Sequence, residues 1–397
     1  MRITPCRIPV KAPLRFSWGA HPAIQRIVIE LETDTGLVGL GEAYGESHRL
    51  LALENARSQV IGRSPYELEA MRWAIMPPGQ VKLFLGAVAY HAYAAIEFAC
   101  LDLIGQSVQR PAYDLLGGKL RDEIPQSAYL FYRYATSDGT GEVSTPEQLV
   151  GLAQELVDTY GFESLKFKCG VQDPDSEIEA FKALREAFPR LKIRLDPNGI
   201  WSIGTSVRVA RALRNDDVEY LEDPTWTLRG LSRVASQAPW ITLASNQAVF
   251  SFEDLYPNLM SGAIDIVLAD PHWYGGMTAC KQLGRMAESI GFDLGMHSGS
   301  EFGISQAAQL HVAAATPNMA QAYAPDTHYP HLTDDVIEGG LLPIENGRMK
   351  APDEPGLGVR LDYDKLGKYH ELFQRDGFST WTQDPFDPGR MAIIPKW

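Results

Sequence analysis

Ser164-Leu165-Lys166-Phe167-Lys168, Lys192-Ile193-Arg194-Leu195-Asp196 and Val218-Glu219-Tyr220-Leu221-Glu222 are short, largely apolar runs that each finish on a charged residue. Further runs flank them: Gln126–Phe131 upstream, then Ile241–Asn246, Ile264–Asp270, Gly291–His297 and a weaker one over Met319–Ala324. Intervals of 26, 24, 24 and 27 residues separate Asp196, Glu222, Asn246, Asp270 and His297. A strand, a loop, a helix and a return loop take up about that length. Helical stretches fill the gaps, for example Ser176–Phe188 and Met277–Ile290. Eight such units in series predict an α/β fold of the (β/α)8 barrel type. The rival is an open doubly wound sheet, but no G-x-G-x-x-G follows the first strand to support it.

The chain on either side reads differently. Gln25–Thr33 and Leu37–Glu42, joined by Asp34-Thr35-Gly36, predict a β-hairpin. The Ala/Leu-rich stretch Val88–Gln106 predicts a helix, closed off by Pro111. We therefore expect an N-terminal α+β capping domain over 1–122, a catalytic barrel over 123–340, and a tail over 341–397 that returns to complete the capping domain.

Composition narrows the function. A net charge of -14 argues against nucleic acid or an anionic membrane as partner. Cys6, Cys100, Cys169 and Cys280 lie far apart and form no C-x-x-C pair, which suits reduced thiols in a cytoplasmic protein. The proline-broken start, Met1–Pro9, has no apolar signal-peptide core. No uninterrupted apolar run reaches the ~18–20 residues that span a bilayer. The expectation is a soluble, cytoplasmic enzyme.

In a barrel the C-terminal ends of the strands converge on one mouth. Lys166, Lys168, Asp196, Glu222, Asn246, Asp270 and His297 all stand at or near such ends. Asp196, Glu222 and Asn246, on successive strands, are hard oxygen donors of the kind that hold Mg²⁺. Lys166 and Lys168 are two apart and share a strand face. Repulsion between their ammonium groups should lower at least one pKa, and such a lysine can act as a general base. Asp270 and His297 end neighbouring strands, so the carboxylate can orient the imidazole. A divalent cation between a lysine and a histidine can bind a carboxylate and stabilise the charge left when the α-proton departs.

These residues resemble the enolase superfamily, in its mandelate racemase-like branch. Lys166-Phe167-Lys168 is similar to the family's K-x-K. Asp196-Pro197-Asn198-Gly199, Glu222-Asp223-Pro224 and Asp270-Pro271-His272 match its strand ends, and His297 with Asp270 its His–Asp dyad. Asn246 in place of a glutamate resembles the glucarate dehydratase subgroup. So do Gly19-Ala20-His21, Tyr129-Leu130-Phe131, His297-Ser298, Asp326-Thr327-His328 and Phe386-Asp387-Pro388-Gly389-Arg390. Two departures stand out: Gly299 where an asparagine is expected, and Trp18 before Gly19 where a second glycine is expected.

The resemblance implies Mg²⁺-dependent dehydration of a small-molecule acid sugar to a keto-deoxy acid by a hydro-lyase that assembles as a homo-oligomer. It implies Asp196, Glu222 and Asn246 as metal ligands, and Lys166, Lys168, Asp270 and His297 as the catalytic set. His21, Tyr129, Asn198, Ser298, His328 and Arg390 are implied to bind substrate. Two readings stay open beside it: a racemase or epimerase using the same two bases, and a non-catalytic binding protein on the same fold.

Overall fold

The computed structural model describes residues 1–77, 88–379, 382–390 and 392–397. Three antiparallel strands open the chain: β1 (Arg2–Arg15), β2 (Ala20–Glu32) and β3 (Val38–Tyr44), in that order across the sheet. The expected hairpin is β2–β3, with Glu32 opposite Val38 and Gly36 at φ 83 in the turn. β1 runs through Pro5, Pro9 and Pro13 because it lies at the edge of its sheet, where missing N–H groups are tolerated. Its register slips between Pro9 and Leu14.

Helices α1 (Ser47–Val60), α2 (Leu68–Ile75) and α3 (Val88–Val108) pack on this sheet, followed by a single turn, α4 (Ala112–Leu115). α3 lies directly across β3: a Cβ on Gly41 would overlap the Ala95 carbonyl, so glycine there permits the close approach. By length and composition α3 could cross a membrane. Glu97 and Asp102 interrupt it in the sequence, so it is not an unbroken apolar run. In the fold, 89% of its apolar window is buried inside the protein, which makes it the core helix of the N-terminal domain.

A short ribbon strand, β4 (Ile124–Pro125), leads into the barrel. Its strands are β5 (Ser127–Phe131), β6 (Ser164–Lys168), β7 (Lys192–Asp196), β8 (Val218–Glu222), β9 (Leu243–Ser245), β10 (Ile266–Ala269), β11 (Asp293–Met296) and β12 (Asp326–Thr327). They form one parallel sheet from β5 to β11 in sequence order, with β12 beside β5. The barrel is nearly closed; among the described residues no ladder joins β11 to β12. The last strand corrects the sequence reading: Met319–Ala324 is turn and bend, and the strand lies just beyond it.

Around the barrel run α5 (Pro146–Tyr160), α6 (Pro174–Ala187), α7 (Ile203–Ala212), α8 (Leu228–Gln237), α9 (Phe252–Ser261), a short α10 (Pro271–Tyr274), α11 (Met277–Ile290) and α12 (Gly303–Ala315). Local sequence sets their ends. Thr145 and Gln148 form a reciprocal capping box at α5, Pro146 takes its first position, and Gly161 ends it in the left-handed conformation. Leu165 and Phe167 of β6 join the apolar layer under these helices. The alternate residues, Lys166 and Lys168, point into the barrel.

Strand β13 (Arg348–Met349) pairs with β4, and α13 (Tyr363–Asp376) then packs on β1. Arg7 bonds the Gly377 carbonyl at 3.4 Å, and His370 Nδ1 lies 2.7 Å from the Pro5 carbonyl. The four cysteines are free and buried.

The N-terminal domain is also tied to the barrel by a buried acid. Glu97, in α3, accepts from the backbone N–H groups of Met277 (2.6 Å) and Thr278 (3.1 Å) at the start of α11. Burial pushes its carboxyl up to about 7, against those hydrogen bonds. A carboxyl that binds its proton more tightly when folded contributes stability in full below its unfolded pKa, near 4.5, and loses it as pH rises through about 7. Glu97→Gln should therefore flatten the fall in stability over that window, measured as urea midpoints at several pH values.

Candidate active site

The strand ends do converge. Lys168, Asp196 and Glu222 close β6, β7 and β8, while Asn246, Asp270 and His297 follow β9, β10 and β11. A cavity of about 500 Å³ opens there. Lys168, Asn198, Asn246, His297, Ser298 and His328 line it from the barrel, and Phe16, Trp18, Tyr44, Glu46 and Arg49 from the N-terminal domain.

Behind the cavity wall lies a buried charge cluster. The Lys166 ammonium faces Asp326 Oδ2 at 2.8 Å, Asp196 Oδ2 at 3.3 Å and the Glu222 carboxylate. Lys168 pairs with Asp196 and donates to Asn198 Oδ1 at 3.2 Å. Repulsion between the two lysines does not govern Lys166. Burial alone would lower its pKa, but Asp326, Glu222 and Asp196 outweigh that and hold it well above the ordinary lysine value. Burial likewise opposes ionisation of Asp196, but Lys168 and Lys166 bring it down to about 2. Glu222 goes the other way: burial and the neighbouring Asp196 push its carboxyl well up.

Asn246 spans the next gap. One end of its amide lies 3.0 Å from Asp223 Oδ2 and 3.2 Å from Glu222 Oε1, the other 3.0 Å from His297 Nε2. With nitrogen toward the acids and oxygen toward His297, each contact is a hydrogen bond; turned the other way, the amide oxygen faces Glu222, the orientation in which it could serve a cation as a donor. Asp223 holds this residue in place, accepting from the Asn246 backbone N–H at 3.0 Å and from Ser245 Oγ at 2.5 Å. Among the described residues no three His, Cys, Asp or Glu are grouped to hold a metal, and the Asn246 amide is the neutral side-chain donor found beside Glu222. Two buried carboxylates and an amide oxygen are all hard donors, and a divalent cation would relieve the crowding that raises Glu222. The donor set fits Mg²⁺.

On the other side of Asn246, His297 Nδ1 lies 3.1 Å from Asp270 Oδ2, which leaves Nε2 toward the amide. Burial would raise the Asp270 carboxyl, but His272 and His297 hold it well below the usual range. The segment after His297 is fixed by Glu301, which accepts from Ser298 Oγ (2.5 Å), the Gly299 N–H (2.6 Å) and Gln309 (3.1 Å).

The residues implied to bind substrate divide. Asn198, Ser298 and His328 line the cavity, with Ser298 Oγ 2.7 Å from His328 Nδ1. Tyr129 is fully buried behind them; its hydroxyl donates to the Ser298 carbonyl at 3.2 Å. His21 packs edge-on against Phe16, ring centres 4.8 Å apart. The structure does not bring Arg390 to the cavity wall. Its Nη2 donates to the carbonyls of Phe16 (3.3 Å) and Ser17 (2.9 Å), and Nη1 faces Asp384 at 3.6 Å. It clamps the loop that carries Trp18.

Tyr44, Glu46, Arg49, Glu301 and Asp326 are site residues that reading the strand ends does not reach. Asp326 stands in a stretch that carries the family resemblance, so a signal for it exists. Tyr44, Glu46 and Arg49 come from another domain, and no local pattern marks them.

The chain matches the family model for the enolase C-terminal domain-like fold over residues 148–365, and that for the mandelate racemase / muconate lactonizing enzyme N-terminal domain over residues 1–117. A probable glucarate dehydratase of Streptomyces coelicolor is 36% identical, over 97% of this chain and 94% of its own length. An enolase from Mycobacterium smegmatis, crystallised with tartrate, superposes with a TM-score of 0.92 at 39% identity, covering 100% of this chain and 97% of that one. One from Pseudomonas fluorescens, with bound magnesium, potassium and tartrate, gives 0.87 at 39% identity, over 95% and 92%.

Removing one partner of a buried ion pair leaves the other charge unpaired, at a cost of about 3–5 kcal/mol. Asp326→Ala strips a partner from Lys166 and Arg194 together but leaves Glu222 and Asp196 beside the first and Glu219 beside the second, so it should cost less, about 1.5–3 kcal/mol. Denaturant unfolding monitored by circular dichroism checks it.

Proposed function

The chain belongs to the mandelate racemase / muconate lactonizing enzyme branch of the enolase superfamily, and from that premise we propose that it dehydrates an acid sugar of the aldarate class, such as glucarate. One observation carries this reading: Lys168 and His297, two groups able to move a proton, line the same cavity beside Asp196, Glu222 and Asn246. The similarity to a glucarate dehydratase supports it.

Asp196, Glu222 and Asn246 would hold Mg²⁺. When bound, the ion supplies positive charge against the substrate carboxylate and the negative charge that builds there as the α-proton leaves. The neutral Asn246 leaves the site less negative than a third carboxylate would, which favours a doubly anionic substrate. Lys166, kept cationic by its acidic neighbours, adds positive charge behind the substrate carboxylate. Lys168 or His297 removes the α-proton, depending on the configuration at that carbon. His297, oriented by Asp270, then gives a proton to the departing β-hydroxyl. One C–H and one C–O bond break, water leaves, and the enol product tautomerises to the keto-deoxy acid. Asn198, Ser298 and His328 contact the sugar hydroxyls.

The same pair of groups supports a second reading, racemisation or epimerisation, in which the second group returns a proton and no oxygen leaves. Formation of a keto acid, followed as its semicarbazone absorbance, separates the two. A binding protein without catalysis would exchange no α-proton with D₂O.

Screened against a library of mono- and di-acid sugars, the purified protein should produce a keto acid from an aldarate. Inversion without keto acid would favour the second reading. His297→Asn should reduce kcat for dehydration by about 10²–10⁴-fold with the melting temperature unchanged; full activity would remove His297 from the mechanism. EDTA should abolish turnover and added Mg²⁺ restore it.

A further inference from the structure

Asp270 does not serve His297 alone. Its Oδ1 accepts from the His272 backbone N–H and faces the His272 ring Nδ1, each at 2.8 Å. Its Oδ2, the oxygen that meets His297 at 3.1 Å, also accepts from the Tyr44 hydroxyl at 2.6 Å. Tyr44 ends β3 in the N-terminal domain, and its bond to Asp270 is the shorter of the two on that oxygen. A fixed donor on a carboxylate oxygen sets the direction of the lone pair left for the imidazole.

Tyr44 is itself held from several sides. The Arg26 guanidinium lies 4.3 Å and that of Arg49 4.8 Å from its ring centre. The rings of His91 and His272 meet it edge-on at 5.1 and 5.0 Å. Arg26 in turn pairs with Glu42 at 2.5 Å, lies 3.0 Å from His272 Nε2, and donates to the Gly299 carbonyl at 3.2 Å.

Gly299 gives independent support. A Cβ there would overlap the Tyr44 hydroxyl, ring carbon Cζ and Cε1. The segment that follows His297 thus leaves, through the missing side chain of one residue, the space in which the hydroxyl reaches Asp270. This accounts physically for a glycine at a position where an asparagine is expected.

Lys168 is oriented differently. Its partners, Asp196 and Asn198, belong to the barrel.

We propose that Tyr44 is a positioning residue for His297: the N-terminal domain, through this hydroxyl and Asp270, aims one of the two proton-transferring groups and leaves the other to the barrel. This rests on Lys168 and His297 being the opposed bases. The test is α-proton exchange in D₂O, followed by NMR, with two acid sugars that differ only in configuration at the α-carbon. His297→Asn identifies which of the two His297 serves.

Tyr44→Phe keeps the ring and its cation contacts and removes only the hydroxyl. It should lower kcat for the epimer served by His297 by about 10- to 100-fold, with KM within about twofold. Exchange of the epimer served by Lys168 should stay within about twofold of the parent protein. Gly299→Ala, which forces the hydroxyl aside, should reproduce the selective loss. Equal loss for both epimers would make Tyr44 structural and overturn the proposal, as would no loss for either. If the unaltered protein exchanges neither epimer, the proton-transfer reading fails first and takes this one with it.

Discussion

Inside the barrel one carboxylate holds two cations. Asp326 meets Lys166 at 2.8 Å and Arg194 at 3.1 Å, and all three side chains are fully buried. Arg194 also reaches Tyr220 of β8 at 2.8 Å, Ser164 of β6 at 2.9 Å and Glu219 at 2.7 Å. β12 contributes two residues to the sheet and pairs only with β5 among the described residues. Its place therefore depends on these ion pairs more than on a ladder. A buried charge pair is a poor source of net stability, but here a misplaced β12 would take one carboxylate away from both Lys166 and Arg194.

The same arrangement prepares the mouth. Lysines and acids packed at this density cannot all keep their ordinary pKa values. The cluster resolves into a firmly cationic Lys166, a firmly anionic Asp196 and a Glu222 that resists ionisation. Such an uneven set is one in which an added divalent charge has a defined seat. The His297–Asp270 dyad is built differently, since Asp270 draws donors from β3, α10 and the loop after β11.

The barrel is legible in the sequence because its rhythm is covalent: strand-end residues recur every 24 to 27 positions, and closure brings such ends together whatever lies between. The strand-end set from Lys166 to His297 is legible for that reason. β12 is not, because it is held by Asp326 and carries no apolar run of its own. The pKa of Lys166 is not legible either: spacing reveals its lysine neighbour, while the three acids around it come from other strands. Tyr44 and Arg390 mark the same limit. The first reaches the dyad from another domain, and the second, placed by resemblance at the substrate, grips a loop instead.

That grip has a consequence for biosynthesis. The bond from Arg390 to the Phe16 carbonyl joins residues 374 positions apart, and Ser17 is held by the same guanidinium. At ~5–20 residues per second, a ribosome needs roughly 20–75 s to add that much chain after the Phe16 codon is read. Throughout that interval Trp18 and its neighbours lack this clamp. The loop that carries Trp18 over the cavity thus gains these two hydrogen bonds only after residue 390 has been added.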